Sequence, residues 1–257
     1  MASKDLHINA IVLKKTKLSE TDLIITFLAE DGSQVRAVAK GARKPSSSFA
    51  SRLEMFSNVE VLLAQGKNLD IVREAKLIKP YTSVRSDFEK SLCASCAMEL
   101  LYKSTQRNLV SENLYQVTIN FLNEVEKISD RFYLKALCTA HLVKVCSFIG
   151  FRPSLANCVS CGDDVSEFMT NANISLNFSF EDGGVVCLRC SKKVETEKLS
   201  AATIKLIHDL IHTKFEDIKL ITVGEDVVDD TLQFCKKWIL FHVGTSMKTL
   251  TFYQNSI

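Results

Sequence analysis

Two C-x-x-C pairs carry the clearest chemistry in this sequence. They are Cys158-Val-Ser-Cys161 and Cys187-Leu-Arg-Cys190, with 25 residues between them. Paired C-x-x-C knuckles supply four thiolates in the tetrahedral arrangement that zinc takes. The ligand set Cys158, Cys161, Cys187 and Cys190 leaves no open coordination position, so one zinc held there is structural rather than catalytic. Iron in a rubredoxin-like site is the alternative. Gly162 directly after the first pair suits a tight knuckle turn, and Asn177–Phe180 with Gly183-Gly184 read as a hairpin leading into the second pair. Between Cys158 and Cys190 stand Asp163, Asp164, Glu167, Glu181 and Asp182 against Arg189 alone. A finger that grips phosphates would be cationic, so this module reads as a folding staple or a protein-binding knob.

A second constellation is electrostatic. Arg36–Arg52 holds five cations and no acid. The bland reading of a charge run is a solvated loop. Cations along a strand and its following loop can also neutralise several phosphates at once. The chain carries a net charge of only +2, but residues 1–80 hold 13 Lys/Arg against 9 Asp/Glu. The basic character therefore belongs to the N-terminal third. Alternation along the strand puts Val35, Ala37 and Ala39 on a core face and Arg36, Val38 and Lys40 on the other. If the first three strands are adjacent, Lys14, Lys15 and Lys17 join Arg36, Lys40, Arg43, Lys44 and Arg52 in one DNA-binding patch. Aromatic platforms are sparse: Phe27 and Phe56 sit in apolar runs, and only Phe49, among serines and alanines, has the surroundings of an exposed ring. Binding would then rest on phosphates, with little sequence preference and steep salt dependence.

These residues must be positioned by two kinds of structure. Residues 7–80 read as five strands: Ile8, Ala10 and Val12 alternating with Asn9, Ile11 and Leu13; then Leu23–Leu28, Gln34–Lys40, Val59–Leu63 and Leu69–Ile78. Asp31-Gly32 makes a hairpin turn and Pro80 closes the unit. Five strands in that length suit an OB-type barrel, with a small sandwich or SH3-like barrel as competitors. From Ser83 the apolar period becomes helical. Phe88, Leu92, Cys96 and Leu100 form one stripe behind a Ser86/Glu89 capping box, and Ser111 opens a second helix through Val125. Phe132–Ile149 is a third, Ser200 caps a fourth reaching Phe215, and Val227–His242 is the last. The pattern over 245–257 assigns no element. The implied architecture is α+β and multidomain: an OB-fold over 1–80, a helical domain over 81–156, an inserted four-cysteine zinc module over 157–195, and a second helical part with a tail over 196–257.

Other motifs weigh less. Cys93-Ala-Ser-Cys96 lies inside a helix, whereas a redox pair starts one after a strand, so it reads as buried thiols. Cys138, Cys146 and Cys235 read likewise. His208-Asp-Leu-Ile-His212 resembles a zinc-protease helix, but an aspartate replaces the glutamate base. Gly41–Ser46 lacks the second glycine of a P-loop. Nothing here argues for catalysis. Nine cysteines, an odd count, without an export signal or an apolar run of spanning length fit a cytoplasmic protein with reduced thiols and no membrane partner.

Three stretches resemble the RecO family of bacterial recombination mediators. They are Ala10–Leu13 with Ser19-Glu-Thr-Asp22 and Ala39-Lys-Gly-Ala-Arg-Lys-Pro45; Phe148-Ile-Gly-Phe-Arg-Pro-Ser-Leu155; and the four-cysteine site, which some members lack. The resemblance covers about residues 7–195. It implies an OB-fold, a helical domain and a zinc module. It also implies binding to single- and double-stranded DNA, annealing of complementary strands, and partnership with RecR and with the acidic, apolar C-terminal tail of single-stranded-DNA-binding protein, so that recombinase can load. Arg131 or Lys135, beside Leu134, is the candidate for that tail. A non-enzymatic DNA-binding mediator is thus the leading expectation. The alternative is a zinc-ribbon adaptor whose basic strip binds an acidic protein partner, and a third is a hydrolase using His208 and His212.

Overall fold

The computed structural model describes residues 5–167 and 174–256. Residues 1–4, part of the stretch read for an export signal, lie outside the described residues. The fold is α+β, and the chain separates into two compact units, Met1–Ile128 and Ser129–Ile257.

The first unit begins with β1 (Asp5–Lys17), β2 (Leu23–Ala29), β3 (Gln34–Ala39), β4 (Asn58–Ala64) and β5 (Asp70–Lys79). They close into a barrel in the order β1-β2-β3-β5-β4. β1 pairs antiparallel with both β2 and β4, while β3 meets β5 in parallel at Ala37–Asp70 and Val38–Ile71. This is OB-type order, and closure removes the exposed strand edges. Ile8, Val12, Ile25, Phe27, Val61 and Leu63 fill the interior. Phe49 is part of this packing, lying half-buried against the core, rather than a free ring.

A bulge between Val12 and Lys14 resets the alternation of β1. Ala10 and Val12 point inward before it. After it Lys14 lies opposite Thr26, which lies opposite Arg36, and this row faces outward. Lys15 lies opposite the core residue Ile25, so it belongs to the inner face at the barrel rim.

α1 (Thr82–Ser86), α2 (Phe88–Ser104) and α3 (Asn113–Lys127) complete this unit. The cap of α2 is Asp87, whose carboxylate accepts from the Lys90 N–H at 3.0 Å. The expected Ser86/Glu89 box is therefore displaced by one residue, since an aspartate in extended backbone is as good a cap. α3 starts two residues after Ser111, which instead donates its N–H to the Asp31 carbonyl at 2.9 Å. α2 packs on β1 and β2, and Gln34 Nε2 donates to the Tyr102 and Thr105 carbonyls at its C-terminus. Cys93 and Cys96 are fully buried, as small core thiols.

The second unit is built on α4 (Arg131–Phe148), which is buried from Leu134 to Cys146. α5 (Ala201–His212) and α6 (Glu225–Trp238) pack on it. Ser200 caps α5 through the Thr203 N–H at 3.0 Å, as expected, but the helix ends at His212 and Phe215 opens a 3-10 turn. α6 begins at Glu225 and passes into a π turn, Ile239–Val243. The unassigned C-terminal stretch forms α7 (Lys248–Ser256), anchored by buried Leu250 and Tyr253. A small sheet of order β7-β6-β8 joins β6 (Ser175–Ser179), β7 (Gly184–Val186) and β8 (Glu197–Ser200). β6 and β7 are the expected hairpin. Phe178, fully buried on β6, has its ring centroid 5.3 Å from Phe234 and 5.9 Å from Trp238 of α6. Among the described residues no helix is long and apolar enough to cross a membrane.

Truncating this aromatic anchor leaves a cavity between sheet and helix. Phe178→Ala is expected to destabilise the protein by about 3–5 kcal/mol in denaturant titration.

Candidate nucleic-acid interface and metal centre

The cation-rich stretch after β3 is held by a carboxylate. Asp22 Oδ1 accepts the Gly41 N–H at 2.7 Å and the Thr21 hydroxyl at 2.9 Å. Ser19 Oγ in turn accepts the Asp22 N–H at 3.1 Å. The Gly41 N–H, then the Thr21 hydroxyl, hold the Asp22 carboxyl below its ordinary value. Gly41 has φ +67°, a left-handed turn that glycine adopts without strain. Arg43 closes the clamp: its N–H donates to the Thr21 carbonyl at 3.0 Å, and its Nη1 donates to the Ser19 and Glu20 carbonyls at 2.9 and 3.0 Å. Ser19–Asp22 and Gly41–Arg43 thus form one interlocked pair of turns.

The eight expected DNA contacts fall into distinct groups. Arg36, Lys40 and Lys44 are exposed and make no ion pair among the described residues. Lys14 is half-buried, with its ammonium 4.0 Å from the centre of the Tyr102 ring. Lys15 donates to Glu54 at 2.6 Å and Lys17 to Glu20 at 3.0 Å. Arg43 positions the loop, as above. Arg52 donates from Nη1 to the Ala75 carbonyl at 3.2 Å and keeps the rest of its fork at the surface. The strands are adjacent, but the bulge in β1 puts Lys14 and Arg36 on one face and Lys15 and Lys17 on the other. Sequence reading missed Asp22 and Ser19 as positioning residues, because their role depends on a turn 19 residues away.

The four cysteine sulfurs all lie within 4.8 Å of one another. In the first knuckle the Gly162 N–H returns to the Cys158 carbonyl and the Cys158 N–H to the Asp163 carbonyl, both at 2.8 Å. In the second the Cys190 N–H meets the Cys187 carbonyl at 3.1 Å. The knuckles join where the Cys187 N–H donates to Cys158 Sγ at 3.3 Å. Arg189 of the second knuckle also pairs with Asp163 of the first at 2.7 Å. Gly184 runs against the first: a Cβ there would lie 2.4 Å from the Ser154 carbonyl oxygen and 2.7 Å from Val159, so only glycine fits. Burial would raise the Cys158 thiol, but N–H groups of Cys187, Cys161 and Ser160 bring it down to about 6. Cys190 is pushed up to about 12 by the neighbouring Cys187 and Cys161. Four sulfurs this close ionise together only around a cation, so the cluster can hold one metal ion.

The remaining candidates sit elsewhere. Lys135 is buried and donates to Glu225 at 3.2 Å and Asp229 at 2.7 Å. Its charge is consumed inside the unit rather than offered at a surface groove. Arg131 is exposed and donates to the Ser256 carbonyl at 2.8 Å. His212 has Nδ1 at 2.8 Å from the His208 carbonyl and Nε2 at 2.6 Å from Arg152 Nη2. Both its ring nitrogens face protein groups. Among the described residues the cysteine cluster is the one group of three or more such side chains placed to hold a metal.

A closed OB-type barrel with exposed cations, joined to a helical unit carrying a four-cysteine module, defines a multidomain α+β protein of the nucleic-acid-handling kind. The model of the recombination protein O N-terminal domain matches residues 1–81, and that of the C-terminal domain matches residues 85–251. Proteins named DNA repair protein RecO are similar over nearly full length. That of Bifidobacterium adolescentis is 29% identical over 250 residues, 93% of this chain and 95% of the relative. That of Syntrophomonas wolfei is 30% identical over 222 residues, 85% and 84%. That of a Thermoanaerobacter species is 28% identical over 253 residues, 97% of each. The chain belongs to the RecO family of DNA repair and recombination proteins, which are mediators and not enzymes.

Two outcomes check these geometries. Because its folded-state pKa is depressed, ionised Asp22 contributes stability above the unfolded carboxylate range, about pH 4, and that contribution is lost as pH falls through the lower folded value. Asp22→Asn should therefore melt below the wild type at pH 7, with the gap closing below about pH 4. Cys187→Ser should lose bound metal and lower the melting temperature by at least about 5 °C. A variant that melts normally but binds DNA poorly would make the centre a contact rather than a staple.

Proposed function

We propose that this chain binds single- and double-stranded DNA through the first unit, anneals complementary strands, and helps recombinase load onto DNA coated with single-stranded-DNA-binding protein. The observation that carries this is the set Arg36, Lys40 and Lys44: three exposed cations that form no close ion pair among the described residues, Lys40 lying in the field of the Asp22 carboxylate. Each can accept a phosphate without first giving up a partner. Two negatively charged strands brought to such a surface repel each other less, and their bases remain free to pair. Backbone contacts of this kind read no sequence.

The metal of the four-cysteine centre is zinc in this reading, since four thiolates with no open position are its usual structural set. It would cross-link the two knuckles and supply no chemistry to DNA. Partnership with RecR is part of this reading, and membership of a family of recombination proteins supports it. For the acidic, apolar tail of single-stranded-DNA-binding protein, a groove in the second unit suits better than Lys135. Leu199, Phe234 and Leu240 line it, and Lys198 and Lys236, neither ion-paired among the described residues, flank it. An acidic protein partner for the barrel remains the second reading, favoured only by the same three cations.

Fluorescence anisotropy with a mixed-sequence single strand should show log affinity falling against log salt with a slope near about −2 from these three contacts, and about −3.5 with Arg43 and Arg52 added. The double variant Lys40→Ala/Lys44→Ala should flatten the slope by about 1.4. It should also slow annealing of complementary oligonucleotides coated with their binding protein. An unchanged slope would remove this loop from the interface.

A further inference from the structure

The barrel carries a groove that, of the DNA contacts above, only Arg52 reaches. It lies along the outer face of β4 and β5, has a volume of about 770 Å³, and is roofed by the end of the loop that begins at Lys40. Leu62 on the outer face, with the edges of Phe49 and Leu77 that the barrel core leaves uncovered, gives it an apolar lining, and Arg52, Arg73 and Lys76 stand around it. From Gly41 to Leu53 that loop is a series of tight turns: the Lys44 N–H meets the Gly41 carbonyl, Ser47 meets Lys44, Ala50 meets Ser47, and Leu53 meets Phe49. Lys40, Lys44, Ser48 and Arg52 are all exposed along it. The cationic stretch therefore leads to the groove.

Charge in the groove is mixed, and its pairing decides what it favours. Glu60 is already engaged, by Lys76 at 3.5 Å and by His7 at 3.1 Å. Arg73 and Glu74 are exposed and make no hydrogen bond or ion pair among the described residues. Arg52 gives one nitrogen to the Ala75 carbonyl and retains donors for a ligand. Two guanidinium groups are thus ready for phosphate, a bidentate match. Glu74 is the one free acid opposing them. A cavity of this volume takes about one or two nucleotides, with bases over the apolar lining. A duplex, whose bases are turned inward between two backbones, cannot offer them.

We propose that a single strand gripped at Lys40 and Lys44 continues into this groove, where Arg52 and Arg73 hold its phosphates and Phe49, Leu62 and Leu77 face its bases, and that duplex DNA does not enter. The proposal rests on the DNA-binding reading above and adds a strand-selective subsite to it. Arg73 lies outside the cation-rich stretch, and on β5 it reads as an ordinary solvated side chain.

The test is anisotropy of the full chain against a mixed-sequence single strand and its duplex, over a range of salt. Arg73→Ala should reduce the magnitude of the single-strand slope by about 0.7 and leave the duplex slope unchanged. Arg73→Lys should restore the slope. Glu74→Gln, which removes the opposing charge, should tighten single-strand binding at low salt by roughly threefold. Arg73→Ala acting equally on single strand and duplex would overturn the strand selectivity. If Lys40→Ala/Lys44→Ala flattens the slope while Arg73→Ala and Glu74→Gln change nothing, the groove is not part of the track and the DNA-binding reading stands. Failure of the unaltered protein to bind either DNA would overturn both.

Discussion

Closure of the barrel through β1 is the constraint on which the first unit depends. One strand pairs with β2 on one side and β4 on the other, and it can do so only by bending. The bulge between Val12 and Lys14 supplies the bend and inverts the side-chain alternation beyond it. That inversion decides where three lysines go. Lys14 is carried out beneath the Tyr102 ring, and Lys15 and Lys17 are carried to the rim, where Glu54 and Glu20 meet them. Without the extra residue, each would face the opposite way.

The surface charge that results is sorted by availability rather than by number. A cation already paired must exchange one partner for another when a phosphate arrives, so its net gain is small. A cation facing water alone gives the full counterion-release term. Arg36 and Lys44 are of the second kind, and Lys40 lies close to it, feeling the Asp22 carboxylate without a direct ion pair. The Asp22 carboxylate holds the loop that presents Lys40 and Lys44 through a backbone N–H, without forming an ion pair with either side chain. An acid in the middle of a basic strip thus serves the strip, because its strongest interaction is with the Gly41 N–H rather than with a lysine.

The second unit solves a different problem. Its sheet has three short strands, too little to bury a core by itself. Two devices complete it. The knuckles tie Cys158 and Cys161 to Cys187 and Cys190, and Phe178 plugs the sheet into α6 beside Phe234 and Trp238. α4, at the centre, buries charge as well as apolar surface. Lys135 is answered by Glu225 and Asp229, and the Lys144 ammonium by the Ile211 carbonyl at 2.8 Å. Burial nonetheless draws Lys144 down to about 8 and, with Lys144 nearby, His141 down to about 3. These groups bind α4 to α5 and α6 with direction that apolar packing lacks.

Local chemistry was legible in the sequence wherever it depended on neighbours in the chain. The two C-x-x-C pairs, the Asp31-Gly32 turn, the Ser200 cap and the inward Val35, Ala37 and Ala39 all follow from spacing and alternation, which act over a few residues. Helix ends were less so: Asp87 rather than Ser86 caps α2, and α5 stops short of Phe215, because competing local signals differ by little energy. What only tertiary structure decided was partnership across distance. Lys135 reads as a surface cation beside a leucine until α6 brings Glu225 and Asp229 to it. Arg73 is any exposed strand arginine until the fold sets it beside the same groove as Arg52. Asp22 belongs to a family-like stretch, but its role is invisible until Gly41 turns its N–H toward it. Composition specifies which charges exist, whereas the closed barrel and the packed helices determine which of them are neutralised, because ion pairing depends on separation in space and not in sequence.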